Sequence, residues 1–184
     1  MNASEEPAVI EVRLAGGADA EALLDLKLAL DRETPLMMYE PGERRADPRV
    51  VEVEILYRIE VANSTIIVAA QGSRLVGYVE ATGGTFRRTN HLAIVTTGVR
   101  ASHTGQGIGS QLFQALVDWA DAVGVIRLEL TVMEHNTPAR ALYEKFGFQS
   151  EGIRKCSMCI DGACVDEIAM VRIRPDFAGA EENG

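Results

Sequence analysis

The 184-residue chain is predicted to adopt an α/β fold built around one sheet with both parallel and antiparallel strands. Segments with strand and helix periodicity follow one another in the order β-α-α-β-β-β-α-β-α-β-β. Some consecutive strands are joined by tight turns, whereas others are separated by a helix. The same sheet must therefore contain antiparallel hairpins and a parallel crossover.

The first strand and helix follow from the N-terminal pattern. Residues 9–14 alternate polar and apolar side chains, as a half-buried strand does. Gly16 and Gly17 end this strand, and Asp19 can cap a helix that runs to about Leu30. The leucines of this helix recur on one stripe, which predicts that one face packs against the sheet.

A loop and a second helix come next. Residues 31–46 contain two prolines and a glycine, so we predict a long loop or a broken helix there. Asp47 precedes Pro48, and this pair is typical of a capping residue followed by the first helical position. The second helix is therefore predicted to run from Pro48 to about Ala62.

Three strands are predicted in the middle of the chain. Residues 64–71 and 75–81 are apolar runs separated by the short turn Gly72-Ser73, which predicts an antiparallel hairpin. Residues 91–99 form the next strand and lead directly into a glycine-rich loop.

The remaining elements follow that loop. A helix over residues 109–123 ends at Gly124, and its predicted apolar face consists of Leu112, Leu116, Trp119 and Val123. Residues 127–132 have the pattern of a buried strand, and the last helix runs from Thr137 to Gly147. Asp161-Gly162 is a strong hairpin signal, so the final strands are predicted at 149–160 and 163–173.

The glycine-rich loop is the most informative motif. It reads TGQGIG over residues 104–109 and lies between a strand and a helix. Its glycines leave backbone N–H groups unshielded at a helix N-terminus, where the helix dipole favours an anion such as a pyrophosphate. Taken alone, the loop could also be a turn that binds nothing.

Two common phosphate-binding motifs do not fit this loop. A Walker loop ends in Gly-Lys-Ser/Thr, whereas Gly109 is followed by Ser110 and Gln111. The dinucleotide fingerprint needs a third glycine three residues beyond the second, and Leu112 occupies that position. A nucleotide-binding module is therefore disfavoured.

A second motif, NTPARALYEKFGF over residues 136–148, completes a resemblance to a known family. Together the two motifs resemble those of the GNAT superfamily of acetyl-CoA-dependent N-acetyltransferases. The first is similar to the family's Arg/Gln-x-x-Gly-x-Gly/Ala pyrophosphate loop, and the second to its Asn…Ala…Tyr-x-x-x-Gly-Phe segment. The resemblance extends over residues 9–173 and is densest over 91–170.

The resemblance implies a GNAT-type sheet of seven strands, mostly antiparallel, flanked by about four helices and splayed between the fourth and fifth strands. It implies that acetyl-CoA lies in that gap, with its pyrophosphate on Thr104, Gly105, Gln106, Gly107, Ile108, Gly109 and Ser110. Thr104 stands where the family usually has Arg or Gln. We therefore expect a weaker affinity for acetyl-CoA, since one side-chain contact is lost and the backbone amides remain.

The resemblance also implies roles for residues beyond the loop. The backbone of Val99 and Ala101 is expected to pair with the pantetheine amides, and a nearby N–H such as that of Gly98 to polarise the thioester carbonyl. Asn136 resembles the family residue that hydrogen-bonds the pantetheine arm, although it could equally be a helix cap. Tyr143 is the candidate acid for the departing thiolate, because an ordinary phenol with a pKa of about 10 stays protonated at neutral pH. Without the resemblance, Tyr143 would be interpreted as a packing residue.

The general base is less well determined. Glu80, near the end of the third strand, and His91, at the start of the fourth, are the best-placed titratable side chains. Either could accept a proton through a water molecule. Each could instead be an ordinary polar residue at a strand end, and an amine with a lowered pKa needs no dedicated base.

The three cysteines do not predict a metal site. Cys156, Cys159 and Cys164 have no fourth ligand and no histidine close in sequence. If Asp161-Gly162 is a two-residue turn, Cys159 and Cys164 lie opposite each other and could form a disulfide. We expect free thiols, because the cytoplasm is reducing.

Composition limits the partners and the location. The net charge of −9 argues against a nucleic acid as partner. No apolar run reaches the length of a membrane span, and residues 1–7 do not resemble a signal peptide. We expect a cytoplasmic acetyltransferase domain over residues 1–176, followed by a disordered tail over 177–184. A homodimer is left open.

Several functions stay open at the level of the sequence. The leading hypothesis is direct transfer of an acetyl group to a small primary amine, and its rivals are a ribosomal-protein or peptide N-terminal acetyltransferase and a non-catalytic acyl-CoA sensor. Over residues 78–170 the chain resembles bacterial acetyltransferases of amino acids or related small amines, and it is also similar to ribosomal-protein N-terminal and phosphinothricin acetyltransferases. The 31–46 loop and the hairpin near Asp161-Gly162 are expected to wall the acceptor pocket. Candidate groups there are Met37, Met38 and Tyr39, with Glu40, Glu43, Arg44, Arg45, Arg87 and Arg88 to bind charged parts of the acceptor.

Overall fold

A computed structural model describes residues 9–177 of the chain. Seven strands form one sheet in the order β1-β2-β3-β4-β5-β7-β6. The strands are β1 (Ile10–Leu14), β2 (Thr65–Gln71), β3 (Arg74–Gly83), β4 (Leu92–Val99), β5 (Arg127–Met133), β6 (Gln149–Ile160) and β7 (Ala163–Ile173). All neighbouring pairs are antiparallel except β4 and β5. The predicted mixed, mostly antiparallel sheet is thus confirmed.

Four α-helices flank the sheet, as predicted. They are α1 (Ala20–Glu33), α2 (Pro48–Glu60), α3 (Ile108–Val123) and α4 (Thr137–Lys145). Helix α1 begins one residue after Asp19 and extends three residues beyond the predicted Leu30. The Asp19 carboxylate does not cap α1; it accepts the N–H of Gly16 and binds Arg13 instead.

The helices pack on opposite faces of the sheet, as the side chains of β2 show. Ile66 and Val68 pack with α1 and α2 on one face, whereas Ile67 and Ala69 pack with α3 and α4 on the other. Strand β2 is therefore buried on both faces, which explains its continuous apolar run. The prediction that Val123 belongs to the apolar face of α3 is wrong, because Val123 is 44% exposed and Ala120 is buried in its place.

The cysteines also differ from the prediction. Cys159 and Cys164 are opposite each other in the register of β6 and β7, as expected. The disulfide, however, joins Cys164 to Cys156, and Cys159 is the free, exposed thiol. An irregularity in β6 between Arg154 and Met158 brings Cys156 to a Cα–Cα distance of 4.7 Å from Cys164, which a disulfide can span. The expectation of three free thiols is therefore wrong.

Both ends of the chain lie outside the described residues. The prediction that residues 1–7 are no signal peptide falls there, and so does the predicted disordered tail over 177–184, apart from its first residue, Phe177. Between residues 9 and 177, no helix is long and apolar enough to cross a membrane.

Candidate active site

The sheet opens into a gap between β4 and β5. The two strands pair only over Leu92–Ile94 and Arg127–Glu129. We call this paired region the closed end of the sheet. Beyond it, β4 continues to Val99 and β5 to Met133, but the two strands no longer pair with each other. The splay predicted between the fourth and fifth strands is present, and it leaves one edge of β4 without a strand partner.

The backbone of β4 determines which groups face this gap. Arg100 donates its N–H to the carbonyl of Val76, so the alternate residues Gly98 and Thr96 also direct their backbone groups toward β3. The N–H and C=O of Val99 and Thr97 therefore point into the gap. The expectation that the Gly98 N–H polarises a thioester is not supported, because that N–H points the other way.

Ala101 is also engaged within the protein. Its N–H donates to Oε2 of Glu33 at 3.0 Å, and its carbonyl accepts from Thr104. Glu33, which also binds Arg100, therefore anchors the end of β4 to α1. The hydrogen bond from Ala101 holds the pKa of the Glu33 carboxyl below its usual range. Of the two predicted pantetheine partners, Val99 keeps backbone groups facing the gap and the Ala101 N–H does not.

The glycine loop has the geometry of an anion cradle at the mouth of the gap. Gly105 and Gly107 have φ angles of 74° and 80°, in the left-handed region that favours glycine. A Cβ atom at either position would meet nothing within 4 Å. Helix α3 starts directly after Gly107 and has no side-chain cap, so the N–H groups of its first turn stay available. These residues fit a pyrophosphate.

The side chains of the loop turn back onto the loop itself. The Thr104 hydroxyl donates to the Ala101 carbonyl, and the Gln106 amide donates to the Ser102 carbonyl. The backbone therefore presents the hydrogen-bond donors. Sequence reasoning missed one cation beside them: Nζ of Lys145 on α4 lies 3.2 Å from Oγ of Ser110, in the first turn of α3. This lysine can contribute charge to a bound phosphate.

The third glycine of the motif serves packing. A Cβ atom on Gly109 would lie 3.0 Å from Cδ2 of Leu142, so glycine here permits the close approach of α3 and α4. The expected contact of Gly109 with phosphate can therefore involve only its backbone.

Tyr143 lies on α4 and is almost fully buried. Its ring centroid is 5.0 Å from that of Phe113 and 6.1 Å from that of Phe148. Burial raises the pKa of Tyr143 to about 12. No side chain or backbone group of residues 9–177 hydrogen-bonds the hydroxyl, and the hydroxyl is not among the polar atoms sealed from solvent. Tyr143 therefore combines a packed ring with an unused proton donor.

Asn136 caps the helix that carries Tyr143. Its Oδ1 accepts the N–H of Ala139 at 3.3 Å, and Pro138 occupies the first turn of α4. The cap was one of the two roles that the sequence left open. It occupies Oδ1 and leaves the side-chain amide N–H groups for another partner.

Glu80 lies on β3, opposite Thr96 in the middle of β4. Its Oε2 accepts a hydrogen bond from Nζ of Lys27 at 2.8 Å, and both side chains are largely buried. The ammonium of Lys27 also lies 5.1 Å from the ring centroid of Tyr78. The ion pair therefore places a carboxylate on the strand next to β4.

A second buried ion pair lies beside the first. Asp31 accepts two hydrogen bonds from Arg44, which also stacks on Tyr39 at 4.3 Å. Burial and the charges of Glu80 and Asp31 raise the pKa of Tyr78. Tyr78 is thus surrounded by both ion pairs.

The residues missed on α1 had a sequence signal. Leu23, Lys27 and Asp31 recur at intervals of four, so the two charged residues lie on the stripe that the leucines place against the sheet. A charge on a core-facing stripe requires a buried partner.

His91 is separated from these groups. It lies at the closed end of the sheet, where its carbonyl accepts the N–H groups of Ile126 and Arg127. Its neighbours in the surrounding cavity include Asn63 and Gly84. His91 is therefore a poor candidate for the general base. The same correction applies to Arg87 and Arg88, which lie in the loop from β3 to β4 at this end.

No metal site accompanies the gap. Over the described range 9–177, no three His, Cys, Asp or Glu side chains are placed to hold a metal ion.

Comparison with known proteins identifies the family. The model of the acetyltransferase (GNAT) family matches residues 29–148. The chain therefore belongs to this family and is by class an N-acetyltransferase.

Two curated relatives show what the chain is similar to. The L-amino acid N-acetyltransferase AaaT of Escherichia coli is 30% identical over 109 residues, which are 59% of this chain and 67% of that protein. A putative [ribosomal protein bS18]-alanine N-acetyltransferase of Bacillus subtilis is 33% identical over 89 residues, which are 48% of this chain and 56% of that protein. The match thus spans little more than half of the second relative.

Solved structures share the fold. A GNAT-family acetyltransferase from Streptococcus pneumoniae has a TM-score of 0.88 and 24% identity, covering 90% of this chain and all of that one (100%). The yncA protein of Salmonella typhimurium, a putative acetyltransferase solved with its cofactor acetyl-CoA, has a TM-score of 0.79 and 18% identity, covering 89% and 93% of the two chains.

Proposed function

We propose that the chain transfers an acetyl group from acetyl-CoA to the primary amine of a small molecule, an amino acid or a close analogue. The observation that carries this proposal is the gap between β4 and β5. It has free backbone groups along one wall and the glycine cradle at its mouth. The two proton-transfer candidates are Tyr143 on α4 and Glu80 on β3, the strand that pairs with the other edge of β4.

Acetyl-CoA would supply an activated acetyl thioester. The loop over residues 104–110 would hold its pyrophosphate, and the backbone of Val99 and Thr97 would pair with the pantetheine arm. Tyr143 would hold a proton for the departing thiolate. Direct attack by the amine needs no covalent bond to the enzyme, so the main tasks of the protein are orientation and proton transfer.

Glu80 is the residue that we propose as proton acceptor for the amine. Lys27 occupies only its Oε2, and Oε1 makes no hydrogen bond to any residue between 9 and 177. Lys27 fixes the orientation of the carboxylate and stabilises its charge. A water molecule between Oε1 and the amine could complete the path.

Replacing Glu80 with glutamine is expected to lower kcat by about 10²-fold at neutral pH, with little change in acetyl-CoA affinity. The loss should shrink at alkaline pH, because the acceptor amine then loses its proton without help. The measurement is the pH profile of kcat. The matched control is Glu129→Gln, which removes a carboxylate paired with Arg127 at the closed end of the sheet. If the pH profile of E80Q is parallel to that of the wild type, Glu80 is not the general base.

The acceptor pocket would be walled by the segment after α1. Arg44 is held by Asp31 through Nε and one terminal nitrogen, and its Nη1 makes no hydrogen bond within the described part of the chain. That N–H group could bind an acceptor carboxylate. Met37, in the same segment, packs on the core and offers an apolar, adaptable contact. The similarity to the L-amino acid acetyltransferase favours the same substrate class.

An acceptor panel tests the substrate class. Release of free thiol from acetyl-CoA should be fastest with methionine, phenylalanine or a close analogue. It should be slower with polyamines, with aminoglycosides and with peptides carrying the N-terminus of a ribosomal protein. Efficient acetylation of such peptides, with amino acids unreactive, would assign the chain to the N-terminal acetyltransferases instead. No thiol release with any amine would show a non-catalytic acyl-CoA sensor.

A further inference from the structure

Helix α2 has two apolar faces, and only one of them packs against the protein. Val51 and Ile55 are buried in the core. Val53, Leu56 and Tyr57 are 66%, 48% and 54% exposed. Exposed large apolar residues are ordinary when scattered singly, but these three are neighbours on one helix.

Their spacing defines a continuous outer stripe. Arg49, Val53, Leu56, Tyr57 and Glu60 are separated by four, three, one and three residues, so they form one face opposite the core-facing residues. We call these five residues the outer stripe of α2. Its centre is apolar, and its two ends carry opposite charges.

The apolar surface continues beyond the stripe. Ile59 and Leu14 are 58% and 62% exposed, and both line a groove that also includes Val123 and Trp119. An exposed apolar surface that extends over several neighbouring residues is typical of an interaction site.

We propose that the outer stripe of α2 is a homodimer interface in which α2 packs antiparallel against α2 of a second copy. A two-fold axis beside the helix centre brings Val53 against Leu56 of the partner subunit, and the reverse. It also brings Arg49 against Glu60 of the partner subunit at both ends. The apolar and charged positions of the stripe are therefore self-complementary about the two-fold axis.

The charges at the two ends favour a second copy as the occupant. The Arg49 side chain is 91% exposed and reaches Asp47 only at 3.6 Å. Glu60 forms no ion pair with any residue between 9 and 177. A parallel arrangement would place like charges together, whereas the antiparallel one pairs every charge and also opposes the two helix dipoles. The interface is small, so the expected dissociation constant is on the order of micromolar.

Sedimentation equilibrium of the full chain from low to high micromolar concentration tests the proposal. The wild type should show a monomer–dimer equilibrium. Leu56→Glu should weaken the dimer by about 100-fold, because the substitution occurs twice in a symmetric interface. Ile153→Glu, at a residue of β6 that is 53% exposed, is the matched control and should dimerise like the wild type. A wild type that stays monomeric, or L56E that dimerises normally, overturns the proposal.

Charge reversal tests the antiparallel geometry. Arg49→Glu and Glu60→Arg should each weaken the dimer by about tenfold, because each places like charges together at both ends. A mixture of R49E and E60R should restore wild-type affinity, because every end contact in the mixed dimer is again an opposite pair. Both substitutions suit the helix dipole, so helix α2 itself should be retained. Failure of the mixture to associate overturns this pairing, whatever the catalytic activity proves to be.

Discussion

Replacing Tyr143 with phenylalanine is expected to lower kcat by about 10²–10⁴-fold, while the dissociation constant of acetyl-CoA stays nearly unchanged. The ring contacts with Phe113 and Phe148 would persist, since the substitution removes only the hydroxyl. That hydroxyl has no partner in residues 9–177, so its loss leaves no buried group unsatisfied. The effect should therefore be on proton transfer and not on stability.

Steady-state kinetics and calorimetry separate the two effects. Tyr57→Phe, at an exposed residue of α2, is the control and should keep its activity. Because burial raises the pKa of Tyr143 to about 12, the wild type should show no loss of kcat from ionisation of this phenol at moderately alkaline pH. If Y143F turns over at nearly the wild-type rate, Tyr143 is a packing residue and the thiolate leaves without its help.

The same pKa gives the direction of an alkaline effect on stability. The folded pKa of Tyr143 lies above the unfolded value of about 10, so the folded state holds the proton more tightly. This contribution to stability is complete below pH of about 10 and is lost as the pH rises toward about 12.

Replacing Gly107 with valine is expected to weaken acetyl-CoA binding by about 100-fold or more. At a φ of 80° the Cβ of valine would project into the open cradle, where a phosphate must approach the backbone. The positive φ also strains any L side chain, so part of the effect could come from altered loop geometry.

Gly162→Val is the matched control for that strain. Gly162 has a φ of 79°, a Cβ there would also meet nothing within 4 Å, and the residue lies in the turn between β6 and β7. Isothermal titration with acetyl-CoA should therefore show wild-type affinity for G162V and almost none for G107V. Equal affinities of the two folded variants would place the pyrophosphate elsewhere.

The order of the strands and helices was predictable because local signals mark most of their ends. Asp47-Pro48 begins α2, and Asp161-Gly162 forms the final hairpin turn. The splay of the sheet was not predictable from such local signals. It depends on where two sequence-distant strands stop pairing, and no local pattern encodes that, so it was implied only by the family resemblance.

The site was predictable where backbone conformation requires a residue type. Gly105 and Gly107 have positive φ angles that other residues avoid, so the loop was evident in the sequence. The direction of the Gly98 N–H depends on strand register, and the Ala101 N–H depends on Glu33, which is distant in sequence. Neither the direction of the Gly98 N–H nor the partner of the Ala101 N–H could be predicted from the sequence.

Charged partners across the fold were the largest omission. Glu80 was a candidate, but its partner Lys27 comes from a helix 53 residues earlier in the chain. His91 and Glu80 appeared equally suitable in sequence, since both lie near strand ends. The strand register distinguishes them: Glu80 lies opposite Thr96 in the middle of β4, whereas His91 lies at the closed end of the sheet. The cysteine pairing likewise depended on an irregularity within β6.

Hydrogen exchange of the wild type with and without acetyl-CoA tests the central claim most directly, because it reports where the ligand binds without any substitution. Binding is predicted to slow exchange in the loop and first turn of α3, over residues 105–111, and at Thr97 and Val99 on β4. The amides of α2 should be unaffected. Protection confined to other segments, or none at saturating acetyl-CoA, would contradict the assignment of the gap between β4 and β5 as the acetyl-CoA site.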